Sequence, residues 1–414
     1  MAHPGKVVVL GAGLTGVGTA LELAARGVHV TLVDQDERPL NRASLRNEGK
    51  IHLGFIYAND HSLTSADFQL RGALSFRQRL ESWVGTAANA LRRSTPFWYL
   101  VANDSLLSPD ELSTHYASVE GLYRRYTGED KSLDYLGGRP HVLWQRGATG
   151  HADRFFRADA FQAVFRTAEL AIDTAELALL LGDALARSPF VRFLPSHRVH
   201  GVERRHGLIH VHGEGANGIW EIAADQVVNA LWEHRLAVDR TAGLPVEPGW
   251  VHRLKYRVIA RLPQRLRTAP SATVVLGRYG DVVVRPDGTA YLSWYPSAMR
   301  GWTHDLAPPH EWNGPCRGEV PPGEAAVVAR EFLRAIDAWY PGIGECAVLQ
   351  VDAGAILAYG RTDVDDVSSA LHQRSRIGVV SMDGYHSVEP GKLTTAPLVA
   401  AQAAASVMGA AVAV

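Results

Sequence analysis

The chain opens on KVVVLGAG, apolar at every position from Val7 to Leu10. An unbroken β-branched run ending in glycine predicts a strand buried on both faces of a parallel sheet. The period then changes: Leu14, Val17, Leu21 and Ala24 recur at helical spacing, and Gly27 fits a helix stop. A second apolar strand, VHVTLVD, ends at Asp34. Between about 59 and 150 the pattern is mainly helical, in DFQLRGALSFRQRLESWV and SPDELSTHYASVEGLYRRY. FRTAELAIDTAELALLLGDALARS reads as one long helix leading into the strand VRFLP. A hairpin-like RVHGVERRHGLIHVHG and the segment WEIAADQVVNALW follow. Strand patterns dominate 245–349, where the Asp-Gly of RPDGT supplies the positive dihedrals of a hairpin turn. The chain closes on a strand, a polar loop and an alanine-rich helix expected to pack rather than to anchor.

Composition narrows the class. A length of 414 residues allows two or three domains, and 46% apolar with 21% charged residues is ordinary for a soluble globular protein. Forty-two basic side chains against 43 acidic ones leave a net charge of −1, which argues against nucleic acid or an anionic membrane as a partner. Two cysteines, Cys316 and Cys346, exclude a disulfide framework and suit a reducing compartment. The start MAHPGK has no secretory pattern, and the four glycines of Val7–Ala25 make it a poor membrane span. The expected location is cytoplasmic, the expected partner a small-molecule substrate, and oligomeric state stays open.

Gly11, Gly13 and Gly16 form G-x-G-x-x-G between the first strand and the first helix. Gly11 permits the tight turn, Gly13 lets backbone approach a pyrophosphate, and Gly16 lets helix and strand pack closely. The pyrophosphate then meets unpaired N–H groups at the positive end of the helix dipole. Asp34, about twenty residues past the last glycine, is placed to accept from ribose hydroxyls and argues against a 2′-phosphate. Together these predict a dinucleotide site. The motif alone does not separate NAD from FAD.

The segment NRASLRNEGKIHLGFIYANDHSL replaces the third strand expected early in a plain NAD domain. Here the sequence resembles the D-amino acid oxidase superfamily of FAD-dependent oxidoreductases, which includes glycine and sarcosine oxidases. Arg42, Ala43, Ser44, Asn47, Glu48 and Gly49 look like that family's loop, which wraps the adenosine and runs along the flavin. The resemblance returns at 165–232, where the strand ending at Ala230 approaches the flavin, although Leu231, followed by Trp232, stands where glycine is usual. It returns again in GVVSMDGYHSVEPGKLTTAPLVAAQAAASV, similar to the closing motif that lies against the flavin.

The resemblance implies an α/β fold: a Rossmann-like FAD-binding domain from discontinuous segments (1–58, 151–244 and 350–414). An α+β substrate domain with a mixed, largely antiparallel sheet would take 59–150 and 245–349. It further implies cofactor contacts from Gly11, Gly13, Leu14, Thr15, Gly16, Asp34, Gln35, His52, Val199, Ala230, Trp232, Gly391, Lys392, Leu393 and Thr394, besides the loop residues above.

Lys392 near a helix N-terminus would stabilise negative charge on a reduced flavin. His52 is a candidate for covalent flavin attachment, for a non-covalent contact or for plain packing; His386 and Tyr385 face the flavin or merely bond the loop. A carboxylate substrate calls for a bidentate arginine, with Arg257 as the catalytic candidate and Arg278, Arg285 and Arg300 as others. Trp294 and Tyr295 wall an apolar pocket or lie in the core. The histidines at 197, 200, 206, 210 and 212 lack the cysteine or carboxylate pattern of a metal site, so none is assigned.

The leading expectation is hydride transfer from an amine or amino acid C–N bond to FAD, giving an imine. A 2-hydroxy acid dehydrogenase of the same superfamily and a non-catalytic flavoprotein subunit are the alternatives. A ring hydroxylase is disfavoured because MDGYHSVEPGK stands in place of a Gly-Asp motif.

Overall fold

In a computed structural model, residues 4–147, 154–373 and 376–409 are described. The expected boundary at 150/151 and the last residues of the tail lie outside them. Val7–Leu10 is completely buried and forms the centre of a six-stranded sheet. It runs parallel to Val30–Val33 on one side and Gln226–Asn229 on the other. Val191–Leu194 extends one edge, and the hairpin Gly378–Met382/Tyr385–Glu389 the other. Three distant segments thus make one sheet, as the discontinuous assignment expects.

The helix Leu14–Ala24 is buried along its whole length, which explains its small residues. A Cβ on Gly18 would stand 3.0 Å from the Ala400 Cβ, so the closing helix Ala396–Val407 packs directly upon it. The hairpin His197–Arg205/Leu208–Gly215 forms as expected, and Gly218–Ala224 adds a third antiparallel strand. His210 pairs there with Glu221 at 2.9 Å.

The second unit is a nine-stranded mixed sheet. Its long strands Trp250–Arg261 and Ala347–Tyr359 pair antiparallel along their length, and Gly280–Val284/Thr289–Trp294 is the hairpin that Asp-Gly announced. Phe332 and Ile336 of helix Pro322–Asp337 are fully buried in the core beneath this sheet. The helices Thr64–Val84 and Pro109–Glu129 confirm the periodicity of the early insert. Sequence periodicity erred in one place. FRTAELAID is not helical: Phe161–Thr167 is a strand of the large sheet paired with Phe97–Ala102, and the helix spans only Thr174–Arg187. Its burial pattern alternates, but Ala163, Val164 and Phe165 also form the continuous apolar run of a covered strand, which a helical period mimics. Strand 161–167 and residues 350–359 fall in segments expected for the dinucleotide unit, but they sit in the large sheet. Among the described residues no helix is long and apolar enough to cross a membrane.

Candidate active site

A cavity of about 380 Å³ runs from the glycine turn, past the 41–48 loop, to the inner face of the large sheet. The turn at its mouth is fixed by close contacts. Gly11 has φ +92°, and a Cβ there would come within 2.6 Å of the Ala230 carbonyl oxygen. A Cβ on Gly16 would lie 1.8 Å from the Gly11 oxygen, so Gly16 is buried packing beneath the turn and does not line the cavity. Gly13 caps the helix without a side-chain bond, and the first turn carries no acid. That leaves a helix N-terminus suited to an anion.

Asp34 accepts from the Ala12 N–H at 2.6 Å and the Asp36 N–H at 2.8 Å. Burial pushes its carboxyl up to about 6, against the pull of those donors. Ser44 accepts from the Leu14 N–H at 2.9 Å, tying the loop to the helix start. Arg42 spans three partners: Asp36 at 3.1 Å, Glu233 at 2.7 Å and Asn313 at 3.0 Å. Trp232 adopts φ +53°, the left-handed region in which glycine would be unstrained. Its ring is held by an indole bond to the Ala355 carbonyl at 2.8 Å.

At the far end the cavity wall is charged. His52 is buried with Nε2 3.6 Å from Glu48 and Nδ1 3.5 Å from Glu169. Burial acts to raise the Glu48 carboxyl, but His52, Lys392 and Lys255 hold it well below its usual range. Glu169 is fully buried, accepts from the Leu53 N–H at 2.7 Å and from the Tyr99 hydroxyl, and is lowered against its burial chiefly by His52. Lys50 donates to Asp281 at 2.7 Å and sits 4.2 Å above the Phe97 ring. Burial disfavours the Lys255 ammonium, yet Tyr291, Glu48 and Asp281 raise its pKa above the ordinary value. Lys255 and Arg253 line the cavity together with Tyr279, Tyr291 and Tyr295.

Eighteen of the expected cofactor contacts line this one cavity: Gly11, Gly13, Leu14, Thr15, Asp34, Gln35, Arg42, Ala43, Ser44, Asn47, Glu48, His52, Val199, Ala230, Trp232, Gly391, Lys392 and Leu393. Gly16, Gly49 and Thr394 support it from behind. A Gly49 Cβ would strike the Ile172 oxygen at 2.1 Å, and Thr394 accepts from the His52 N–H at 2.9 Å.

Two catalytic expectations are corrected. Arg257 does not face the cavity. Its Nε and Nη2 bond Asp352 at 2.5 and 3.0 Å and its Nη1 the Leu45 oxygen at 2.8 Å, so its fork is already filled. His386 is outside the cavity too, between Ser381 at 2.7 Å and Gln226 at 2.8 Å, and burial pushes it down to about 4. The Tyr385 hydroxyl is likewise spent on Asp239 at 2.9 Å. Of the other aromatics and arginines considered, Tyr295 reaches the cavity; Trp294, Arg278, Arg285 and Arg300 do not line it.

Arg253 and Lys255 were missed although a signal was present. Alternation along HRLKYRV puts 253, 255 and 257 on one face of the strand, and the choice among them needs the neighbouring strand. Asp281, Lys50 and Glu169 carried no motif.

A family model for FAD-dependent oxidoreductases matches residues 6–405. Glycine oxidase from Geobacillus kaustophilus shares the fold with a TM-score of 0.70 and 14% identity, over 100% of this chain and 96% of that one. Iminodiacetate oxidase from Chelativorans sp. BNC1 gives 0.68 and 17%, over 99% and 97%. L-amino acid deaminase from Proteus vulgaris gives 0.68 and 15%, over 100% and 96%. With the family model spanning nearly the whole sequence and the glycine turn, Asp34 and the closing loop all on one cavity, the chain belongs to the family of FAD-dependent oxidoreductases.

Proposed function

We propose that this protein oxidises a C–N bond of a small amine or amino acid that carries an anionic group. The reading rests on one observation: Arg253 and Lys255 stand side by side on the cavity face of one strand, walled by Tyr279, Tyr291 and Tyr295. FAD bound between the glycine turn and Lys392 supplies the hydride acceptor. Gly13 and Thr15 offer backbone donors to its phosphates, and Asp34 offers its carboxylate to a ribose. Arg253 and Lys255 fix the substrate's anion and so orient its reacting carbon. The substrate gives up a hydride from carbon and a proton from nitrogen, and water hydrolyses the resulting imine. Lys392 and the start of helix Ala396–Val407 add positive potential where negative charge accumulates. Amine and amino acid chemistry in proteins of this fold, glycine oxidase and L-amino acid deaminase among them, accords with the reading. A cytoplasmic location belongs to it as well, since both cysteines are buried thiols.

The test is to mix the purified holoprotein anaerobically with a panel of amines, amino acids and 2-hydroxy acids and follow the flavin's visible band. Bleaching by an amine with ammonia or amine release supports the proposal; bleaching by hydroxy acids alone overturns it. With the amine so found, Lys255→Met lowers kcat/KM about 100-fold while flavin content holds, as expected for losing one buried charge contact. Equal kcat/KM in the variant excludes Lys255 from binding.

Cofactor affinity should also depend on pH. Ribose donors favour ionised Asp34, whose carboxyl is raised to about 6 without them, so binding releases a proton. FAD affinity of the apoprotein therefore increases as pH rises toward about 6 and levels off above it. Fluorescence titrations at several pH values check this; a flat profile for the wild type, or the same slope in Asp34→Asn, refutes the assignment.

A further inference from the structure

The segment 361–372, between the long strand Ala347–Tyr359 and the closing hairpin, lies across the substrate end of the cavity. Val364, Leu371 and His372 form part of the lining there. One carboxylate fastens it. Asp363 accepts from the Tyr295 hydroxyl and lies 3.9 Å from Arg253 Nη1 and 3.4 Å from Arg278 Nη2. The same Arg253 nitrogen donates to the Tyr295 oxygen at 3.1 Å, so the arginine and the phenol meet the carboxylate as one unit. Arg253 has only 4% of its side chain exposed and Asp363 22%, whereas Arg278 is 48% exposed. Asp365 pairs with Arg278 alone, at 3.5 Å, and Asn59 holds the segment through the Val367 oxygen at 2.6 Å.

A carboxylate received by a buried arginine and a tyrosine hydroxyl at a cavity wall has the chemistry of a bound anion, although here the chain itself provides it. We propose that Asp363 occupies the anion subsite formed by Arg253 and Tyr295, and that an anionic ligand enters by displacing it and releasing the 361–372 strap. The inference builds on the reading of Arg253 as an anion-binding group, but its test requires no turnover. Displacement exchanges one charge-assisted contact for another, so the built-in carboxylate weakens every competing anion by what its own contacts are worth. It also selects for ligands bearing a full negative charge, since a neutral amide or ester cannot replace the contact to Arg253.

The experiment titrates the holoprotein with acetate and with benzoate, as non-reacting carboxylates, and reads the perturbation of the flavin's visible spectrum. In Asp363→Asn both bind about tenfold more tightly than in the wild type. Asp365→Asn, which keeps the Arg253 contact, binds them as the wild type does. Equal or weaker binding in Asp363→Asn overturns the proposal. Hydrogen exchange on the wild type provides a second readout independent of any variant. Saturating benzoate increases exchange at the 361–372 amides if the strap is released, and unchanged or slower exchange there overturns the displacement. If no amine bleaches the flavin while these shifts appear, the oxidation reading fails and the anion subsite stands. If an amine bleaches the flavin and the shifts are absent, oxidation stands and the anion subsite fails.

Discussion

Gly16→Val yields a protein that does not retain flavin. The substituted Cβ would sit 1.8 Å from the Gly11 oxygen, and that oxygen belongs to the turn whose other face meets the Ala230 carbonyl. Neither neighbour is a side chain that can swing away. Helix Leu14–Ala24 must therefore move off the central strand, which opens the phosphate turn and exposes a helix that is otherwise wholly buried. Overpacking of this kind costs about 1–3 kcal/mol in an ordinary core and more where backbone is struck. The measurement is flavin absorbance per protein after purification, with a thermal melt in excess FAD. Gly13→Ala is the internal comparison for the fold, read in the melt without FAD, because within the protein its Cβ meets only the Ser44 hydroxyl, at 3.2 Å, and that side chain can turn. Full flavin content and an unchanged melt in Gly16→Val would show that the turn tolerates what its geometry forbids.

Asp352→Ala has a comparable effect on stability. Asp352 is fully buried on the edge strand Ala347–Tyr359 and faces both Arg257 and Arg46, the latter at 3.3 Å. It also accepts from Gln350 at 2.7 Å. Removing it strands two buried guanidinium groups, and breaking a buried pair from one side costs about 3–5 kcal/mol. The loss appears as a lower denaturant midpoint. A variant replacing Arg257 by Met together with Asp352 by Leu recovers much of it, because no charge at 257 is then left unpaired. This pair of variants also tests the structural assignment of Arg257. If Asp352→Ala melts like the wild type while losing substrate affinity, Arg257 serves the substrate after all.

Much of this architecture was open to a reader of the sequence. The first strand, the glycine turn, the helix and Asp34 form a local unit, in which the Ala12–Asp34 hydrogen bond and the close approach of Gly16 to Gly11 are both made within about 30 residues. The Asp-Gly hairpin and the alanine-rich closing helix are equally local. Phe161–Thr167 was misread because its partner strands, Phe97–Ala102 and Trp144–Gly147, come from well before it in the chain, and the apolar run Ala163–Phe165 interrupts the alternation that would have marked it. Arg257 shows the same limit in the site. Its strand places Arg253, Lys255 and Arg257 on one face with equal claims, and Asp352, 95 residues away, fills the fork of the last.

Spacing within short segments was enough to point to the dinucleotide turn, and the resemblance of three segments to a known family pointed to FAD and to most of the residues that line the cofactor end of the cavity. Long-range packing settled the rest: which cations face the cavity, what pairs with Glu169 and Asp281, and where Asp363 comes to rest. A side chain's charge is written in the sequence, but its role depends on which partner has already claimed its hydrogen bonds. Those partners arrive from strands and loops about 100 to 230 residues away in the chain.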